Sequence, residues 1–157
     1  MKNKWLKLIV SIIIPQAAGL LGSIATTSSV RSWYPTLNKP VFNPPSWLFA
    51  PVWTLLFLLM GISLYLVWQK GVQTPGVKEA LIFFAVQLVL NILWSIFFFG
   101  LQSPLLGLID IIPLVVLIYL TFVKFKQIDP TAGYLLLPYL AWTSFATILN
   151  LSLLILN

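Results

Sequence analysis

Aromatic and amide side chains recur at helical spacing in three stretches of this sequence, so each set would share one helix face. Amide groups donate and accept hydrogen bonds, and indole rings stack on flat apolar molecules. Together they could line a site that binds an aromatic ligand without covalent chemistry. In chain order the sets are Trp53 with Phe57, then Gln87, Asn91 and Trp94, then Trp142, Ala146 and Asn150.

Cysteine and histidine are both absent from the 157 residues, which narrows the possible chemistry. No disulfide can form, the two commonest soft metal ligands are missing, and catalysis built on histidine or a cysteine nucleophile is excluded. We therefore expect no metal site and no required cofactor.

The composition is that of an integral membrane protein. Hydrophobic residues make up 60% of the chain and charged residues only 8%, and the mean hydropathy is +1.01, whereas soluble domains average about 25% charged residues. The pattern predicts an all-α bundle of five transmembrane helices in a single domain, 1–157, with a structured proline- and tryptophan-rich loop between the first two helices. The expected helices cover residues 5–30, 46–68, 79–100, 105–125 and 132–156.

Polar groups inside these spans should face the protein interior, because exposing them to lipid is costly. For Gln87, Asn91 and Trp94, interhelical hydrogen bonding and a ligand pocket are equally good interpretations. Asp110 could be a functional carboxylate or a structural acceptor for a tryptophan N–H or an amide. The small residues Gly19, Gly22, Ser23 and Thr26 form a stripe that favours simple helix packing.

The stretch from Trp33 to Trp53, WYPTLNKPVFNPPSWLFAPVW, holds five of the eleven prolines. Proline fixes φ and lacks an N–H, so the first part of this stretch cannot be a helix, although Ser46 could cap the helix that follows. An apolar loop this long suggests function. We expect it to form a lid over the site.

Basic residues are divided unevenly between the two ends of the predicted bundle. The N-terminus and the second and fourth loops carry seven lysines, whereas the other end has only Arg31 and Lys39. This difference predicts an N-terminus in the cytoplasm and the proline-rich loop outside. Basic residues at helix ends fit membrane topology better than nucleic-acid binding, so we expect no nucleic-acid partner.

The longer motifs resemble those of the TspO/MBR family, the tryptophan-rich sensory proteins and peripheral benzodiazepine receptors. The resemblance rests on the Trp33–Trp53 stretch, Met60-Gly61, Gln87, Asn91-x-x-Trp94, Phe98-Phe99-Gly100, Asp110 and PYLAWTSFATILN, and it covers about residues 15–151. Two positions depart from the animal members. Leu151 replaces the tyrosine of their cholesterol motif, and Ser46 replaces a histidine, which argues against sterol recognition by that motif and against a metal ligand at position 46.

The resemblance implies a membrane receptor or carrier, commonly a homodimer, that binds protoporphyrin IX-type tetrapyrroles and benzodiazepine-type ligands beneath the first loop. It also implies an alternative, an enzyme that degrades porphyrin with light and oxygen, in which Trp53 and Trp142 would be catalytic. Transport of porphyrin or sterol has less support. The expected location is a bacterial cell membrane.

The residue patterns and the resemblance together define one candidate site. Arg31 and Lys39 could bind the propionates of a porphyrin. The predicted ligand-binding residues are Trp33, Tyr34, Lys39, Phe42, Pro44, Pro45, Trp47, Phe49, Trp53, Phe57, Gln87, Asn91, Trp94, Asp110, Trp142, Ala146 and Asn150.

Overall fold

The chain folds into a helical bundle in a computed structural model that describes residues 2–157. Within these residues, five segments are long and apolar enough to cross a membrane. The predicted all-α membrane bundle is confirmed. The helices are α1 (Lys2–Ser32), α2 (Phe49–Trp68), α3 (Val77–Ser95), α4 (Pro104–Ile128), α5 (Pro130–Leu135) and α6 (Leu137–Leu156).

The observed bounds differ from the expected ones by a few residues, and two local features differ in kind. The fifth span is divided at Leu136 into α5 and α6, because Pro138 lacks an N–H and disfavours helical geometry just before it. The expected cap at Ser46 is wrong. Ser46 instead begins a short 3-10 turn, Ser46–Leu48, and no side chain caps α2.

Short polar side chains cap the first turns of α4 and α5. Ser103 Oγ accepts a hydrogen bond from Leu106 N at 3.1 Å, which caps α4. Asp129 Oδ1 accepts one from Ala132 N at 3.1 Å, which caps α5. Each bond satisfies a backbone N–H that lacks a partner within its helix.

The spans form a ring in which α1 lies between α2 and α3, α4 packs on α3, α5 and α6, and α2 closes the ring against α5. Ser63 Oγ donates to Ala132 O at 2.7 Å and joins α2 to α5. We call the end that carries residues 33–48 the loop end. Helices α1, α3 and α6 run towards the loop end, and α2 and α4 run away from it.

The core is divided along the bundle axis. The larger apolar cluster extends from the middle of the bundle to the end away from the loop, where Phe84 and Phe125 stack 5.7 Å apart. A second, smaller cluster lies at the loop end and contains Tyr34, Phe98 and Leu149. The cavity described below is bounded by residues from both clusters.

Candidate functional site

A π-helical segment, Ile96–Gly100, continues α3 at the loop end and positions several aromatic rings. Its widened turn is closed by a bond from Leu101 N to Ile96 O at 2.8 Å. Phe98 stacks on Trp94 with centroids 5.0 Å apart and also contacts Phe99 at 4.8 Å. Such insertions are often found at functional sites. Here the segment turns a compact aromatic group towards the bundle interior.

An internal cavity of about 360 Å³ lies in the half of the bundle nearest the loop end. Residues from α1, α2, α3, α6, the loop and the π-helical segment line it. Its volume falls within the range of about 300–1,000 Å³ that is usual for small-molecule sites.

Two tryptophans contribute to the cavity wall and are held by other aromatic rings. Trp53 lies 5.6 Å from Phe57 and 6.3 Å from Tyr139, measured between ring centroids. Trp142 contacts Phe49 edge-on at 6.1 Å. These distances are those of favourable aromatic pairs, so the neighbouring rings hold both indoles in place.

A chain of hydrogen bonds orients the amide of Asn91 at the cavity wall. Asn91 Nδ2 donates to Tyr139 Oη at 2.7 Å, and Tyr139 Oη donates to Gln87 Oε1 at 2.7 Å. Gln87 lies behind the wall and is 1% exposed. Because Nδ2 faces Tyr139, the Oδ1 atom of Asn91 is the acceptor left for a ligand.

Asn150 joins three helices at the loop end. Its Oδ1 accepts from Trp94 Nε1 at 3.0 Å, and its Nδ2 donates to Pro104 O at 2.8 Å. These bonds connect α6 to α3 and to the first turn of α4. Asn150 therefore has a structural role, even though it also lines the cavity.

Asp110 is buried on α4, but it does not line the cavity. Within residues 2–157, no hydrogen bond reaches its buried Oδ2 atom. Among the described residues, no tryptophan N–H or amide makes the expected bond to this atom.

The proline-rich loop is anchored at two places. Tyr34 Oη donates to Asn43 Oδ1 at 2.6 Å inside the loop, and Lys39 Nζ lies 5.1 Å from the centre of the Tyr34 ring. At the far side, Asn38 and Asn157 exchange bonds of 2.9 Å in both directions. The loop therefore packs against the end of α6 as an ordered segment.

Burial raises the pKa of Tyr34 to about 12, because the phenolate would lose its hydration. The side chain is 3% exposed and forms part of the cavity wall. Tyr34 is therefore a neutral phenol at physiological pH. Its proton is used in the bond to Asn43, so only its oxygen lone pair could contact a ligand.

The structure brings nine of the predicted ligand-binding residues to the cavity wall, and Arg31 lies there as well. These nine are Tyr34, Phe49, Trp53, Phe57, Asn91, Trp94, Trp142, Ala146 and Asn150. The other predicted residues lie elsewhere. These are Trp33, Lys39, Phe42, Pro44, Pro45, Trp47, Gln87 and Asp110.

The residues outside the cavity have other contacts. Trp33 packs edge-on against Phe98, and Phe42 packs against Phe145. Trp47 is 72% exposed and points away from the site. Pro44 borders a shallow groove on the outer side of Trp142. The loop thus covers the cavity mainly through Tyr34, supported by the rest of the segment.

The lining residues that the sequence patterns missed include two groups, each with its own cause, besides single residues such as Ala50, Leu149 and Leu153. Ser95, Phe98 and Phe99 come from the π-helical segment and the residue before it, where normal helical spacing fails. The small residues of α1 were assigned to packing alone, yet Gly19, Gly22, Ser23 and Thr26 also line the cavity. Their spacing was visible, but small residues at that spacing also occur in ordinary helix contacts.

Among the residues that the structure describes, no group of three carboxylate, histidine or cysteine side chains could hold an ion. The cavity instead offers aromatic faces, one amide acceptor, hydroxyl groups and a guanidinium at its edge. This lining suits an apolar, mostly aromatic organic molecule.

The fold and the site define a multi-pass integral membrane protein with an aromatic, ligand-sized cavity at one end of its helical bundle. Residues 11–156 match the model of the TspO/MBR family, and the chain belongs to that family.

Three relatives illustrate the range of this family. The chain is 49% identical over 152 residues to the tryptophan-rich protein TspO of Archaeoglobus fulgidus, covering 97% of each chain. It is 38% identical to the tryptophan-rich sensory protein of Cereibacter sphaeroides, covering 87% of this chain and 85% of the relative. It is 34% identical to the translocator protein of Bos taurus, covering 96% of this chain and 89% of the relative.

Proposed function

We propose that this protein is a membrane receptor or carrier whose cavity binds a flat aromatic ligand of the tetrapyrrole class. Relatives named translocator protein and tryptophan-rich sensory protein support a receptor or sensor role in general. The observation that carries the proposal is the placement of Trp53, Trp94 and Trp142 around one cavity. A planar macrocycle can contact several of these rings in offset or edge-on geometry.

The polar groups of the cavity suit the two chemical parts of such a ligand. Asn91 Oδ1 can accept from a pyrrole or amide N–H deep in the site. Arg31 lies at the exposed edge of the cavity and can pair with a carboxylate there. A tetrapyrrole would fill the cavity with its apolar ring and leave its charged propionates at that edge.

The proposal is tested by titrating the purified protein in lipid nanodiscs with protoporphyrin IX and following tryptophan fluorescence. Ala146 is half-buried in the cavity wall, so Ala146→Leu should fill ligand space and weaken binding by about tenfold, equivalent to about 1.4 kcal/mol. The control is Ala141→Leu, which lies on the outer side of the same helix. Equal affinity in wild type and Ala146→Leu would contradict the site.

The same cavity supports a second candidate function, light-driven degradation of porphyrin. The observation that favours it is that two electron-rich indoles, Trp53 and Trp142, line the space in which the porphyrin would lie. A bound porphyrin can act as its own photosensitiser, and dissolved dioxygen would be the oxidant. Such chemistry needs no histidine base.

Illumination of the protoporphyrin complex in air separates the two functions. If the protein is an enzyme, a bilin-like absorption grows in wild type and is lost in Trp53→Phe and Trp142→Phe. Porphyrin that bleaches at the same rate in empty nanodiscs would contradict the enzyme and leave the receptor proposal standing.

A further inference from the structure

Five of the residues that line the cavity are exposed, unlike the rest of its wall. Ser23, Thr27 and Arg31 are spaced by four residues along α1, so they share one face. Across from them, Ser46 begins the 3-10 turn that precedes α2, and Ala50 lies in the first turn of α2. The cavity wall between these two helices is therefore incomplete at the loop end.

The incomplete wall follows from the way α1 contacts its neighbours. Along residues 11–19 of α1, helices α1 and α2 are in close contact, and this contact reaches Thr54 in the second turn of α2. A methyl group at Gly61 would lie 2.8 Å from Ile12 Cα, and one at Gly19 would lie 2.7 Å from the Phe57 ring. Gln16 Nε2 also donates to Thr54 O at 3.3 Å.

Nearer the loop end, the close contacts of α1 are with α3 and its π-helical extension. A methyl group at Gly22 would lie 3.0 Å from Ser95 Oγ. Further along, Ser29 Oγ donates to Phe99 O at 2.6 Å. Helix α1 is thus held against α3 where it separates from α2, so the gap is part of the packing of the bundle.

We propose that the gap between residues 23–31 of α1 and residues 46–50, which lead into α2, is a lateral portal, through which a ligand dissolved in the membrane enters the cavity. The inference rests on the proposed ligand-binding role of the cavity. The expected occupant is an amphiphile with a flat or extended apolar body and one anionic end. Its body would pass between Thr27 and Ala50, while Arg31 at the end of α1 would hold its charge at the membrane surface.

The rim of the portal is suited to an apolar ligand, because its hydroxyl groups are already used. Ser23 Oγ donates to Leu20 O at 2.7 Å, and Thr27 Oγ1 donates to Ser23 O at 2.7 Å. These bonds within the helix leave the donors satisfied. An apolar molecule can then cross the rim without stripping a hydrogen-bond donor of its partner.

The portal can be tested without knowing the natural ligand, because the sequence contains no cysteine. Ala146→Cys places one thiol in the cavity wall of full-length protein in lipid nanodiscs. The probes are a long-chain N-alkyl maleimide that partitions into the bilayer and a sulfonated maleimide that stays in water. We expect faster labelling by the bilayer-dissolved reagent.

Blocking variants then locate the route of entry. Adding Ala50→Trp should slow labelling by the bilayer-dissolved reagent by about tenfold or more, equivalent to about 1.4 kcal/mol on the barrier. Thr27→Trp on the opposite rim should slow this labelling to the same extent. It serves as the blocking variant if Ala50→Trp does not fold. Ile24→Trp is the control, because Ile24 is 77% exposed on α1 and lies outside the cavity.

The portal is wrong if folded blocking variants label as fast as the control, or if the water-soluble reagent labels the cavity thiol faster than the bilayer-dissolved one. Reagent entry does not depend on porphyrin affinity. Slower labelling in the blocked variants together with no protoporphyrin binding would therefore support the portal and contradict the tetrapyrrole proposal.

Discussion

Tyr139 is the residue on which the polar side of the cavity depends. Its hydroxyl accepts from Asn91 and donates to Gln87, and its ring supports Trp53. Tyr139 and Gln87 are each 1% exposed, so the Gln87 amide cannot turn to water if the hydroxyl is removed. Loss of this one oxygen would leave two buried amide atoms without their partner.

We expect Tyr139→Phe to lower the free energy of unfolding by about 1–3 kcal/mol, because buried polar groups without partners are costly. The measurement is unfolding of the purified protein in detergent, followed by circular dichroism. Tyr134→Phe is the matched control, since Tyr134 is 53% exposed. Equal stability of the two variants would show that the hydroxyl bridge does not stabilise the fold.

Tyr34 contributes to the stability of the proline-rich loop, and this contribution depends on pH. Its folded pKa of about 12 lies above the ordinary value of 10.0, so burial favours the neutral phenol. The stabilisation is complete below pH 10 and is lost as the pH rises through about 12. The loop should therefore loosen only in strongly alkaline solution.

Hydrogen exchange of the loop amides, compared between wild type and Tyr34→Phe, measures this effect. In wild type the protection of the loop should decrease as the pH approaches 12, beyond the intrinsic rise in exchange rate. Tyr34→Phe should show no such additional decrease, since it has no proton to lose. A wild-type loop whose protection is unaffected up to that pH would contradict the assignment.

At the scale of elements, the contact between α1 and α2 fixes the shape of the bundle. Gly61 allows the backbone of α2 to approach Ser11 and Ile12 of α1. A methyl group there would also lie 2.9 Å from Ser11 O. Because both contacts are to backbone atoms, a side chain at position 61 must push the helices apart.

We expect Gly61→Ala to destabilise the protein by about 1–3 kcal/mol, the usual cost of overpacking. Thermal unfolding in detergent measures it. Gly100→Ala provides the control, because a methyl group there would lie 3.5 Å from Ala25 Cβ, an ordinary contact. If both substitutions have the same small effect, α1 and α2 are not held together as closely as described.

The helical spans could be predicted from the sequence because hydropathy over about 20 residues is a strong signal, and Pro75, Pro104 and Pro130 mark boundaries. The π-helical segment could not be predicted, since its extra residue breaks the spacing used to assign faces. For the same reason Phe98 and Phe99 were not recognised as lining residues.

The site itself was predicted only in part, for two physical reasons. Side chains within helices follow a known period, so Trp53, Asn91, Trp142 and Ala146 were predicted to face one site, and the structure places all four at one cavity. Loop residues have no such period, so the sequence does not show which loop side chains face inward. Trp47 is exposed although it is as aromatic as the loop residue Tyr34, which is buried. Long-range pairs such as Asn38 with Asn157 leave no local signal at all.

At the scale of the whole molecule, the distribution of basic residues predicts the orientation in the membrane. Lys4 and Lys7 on α1, and Lys124 and Lys126 on α4, lie at the end away from the loop. This end should face the cytoplasm.

Reporters fused to the protein test the orientation. With five spans and the basic end inside, a reporter that is active only outside the cytoplasm should be active when fused after Asn157. The same reporter inserted after Gly71, in the turn between α2 and α3, should be inactive. The reverse pattern would place the loop end and the proposed portal in the cytoplasmic leaflet.

Binding of a planar macrocycle in the aromatic cavity is tested most directly by circular dichroism in the Soret region. Protoporphyrin IX is achiral, so a signal arises only when a chiral site holds it. Titration of the wild-type protein should give a signal that saturates at one porphyrin per chain. The double variant Trp53→Phe/Trp142→Phe should lose most of this signal. The control variant Trp5→Phe, at a position that is 67% exposed, should keep it. A signal that fails to saturate, or that is the same in the double variant, would show that the cavity is not the binding site.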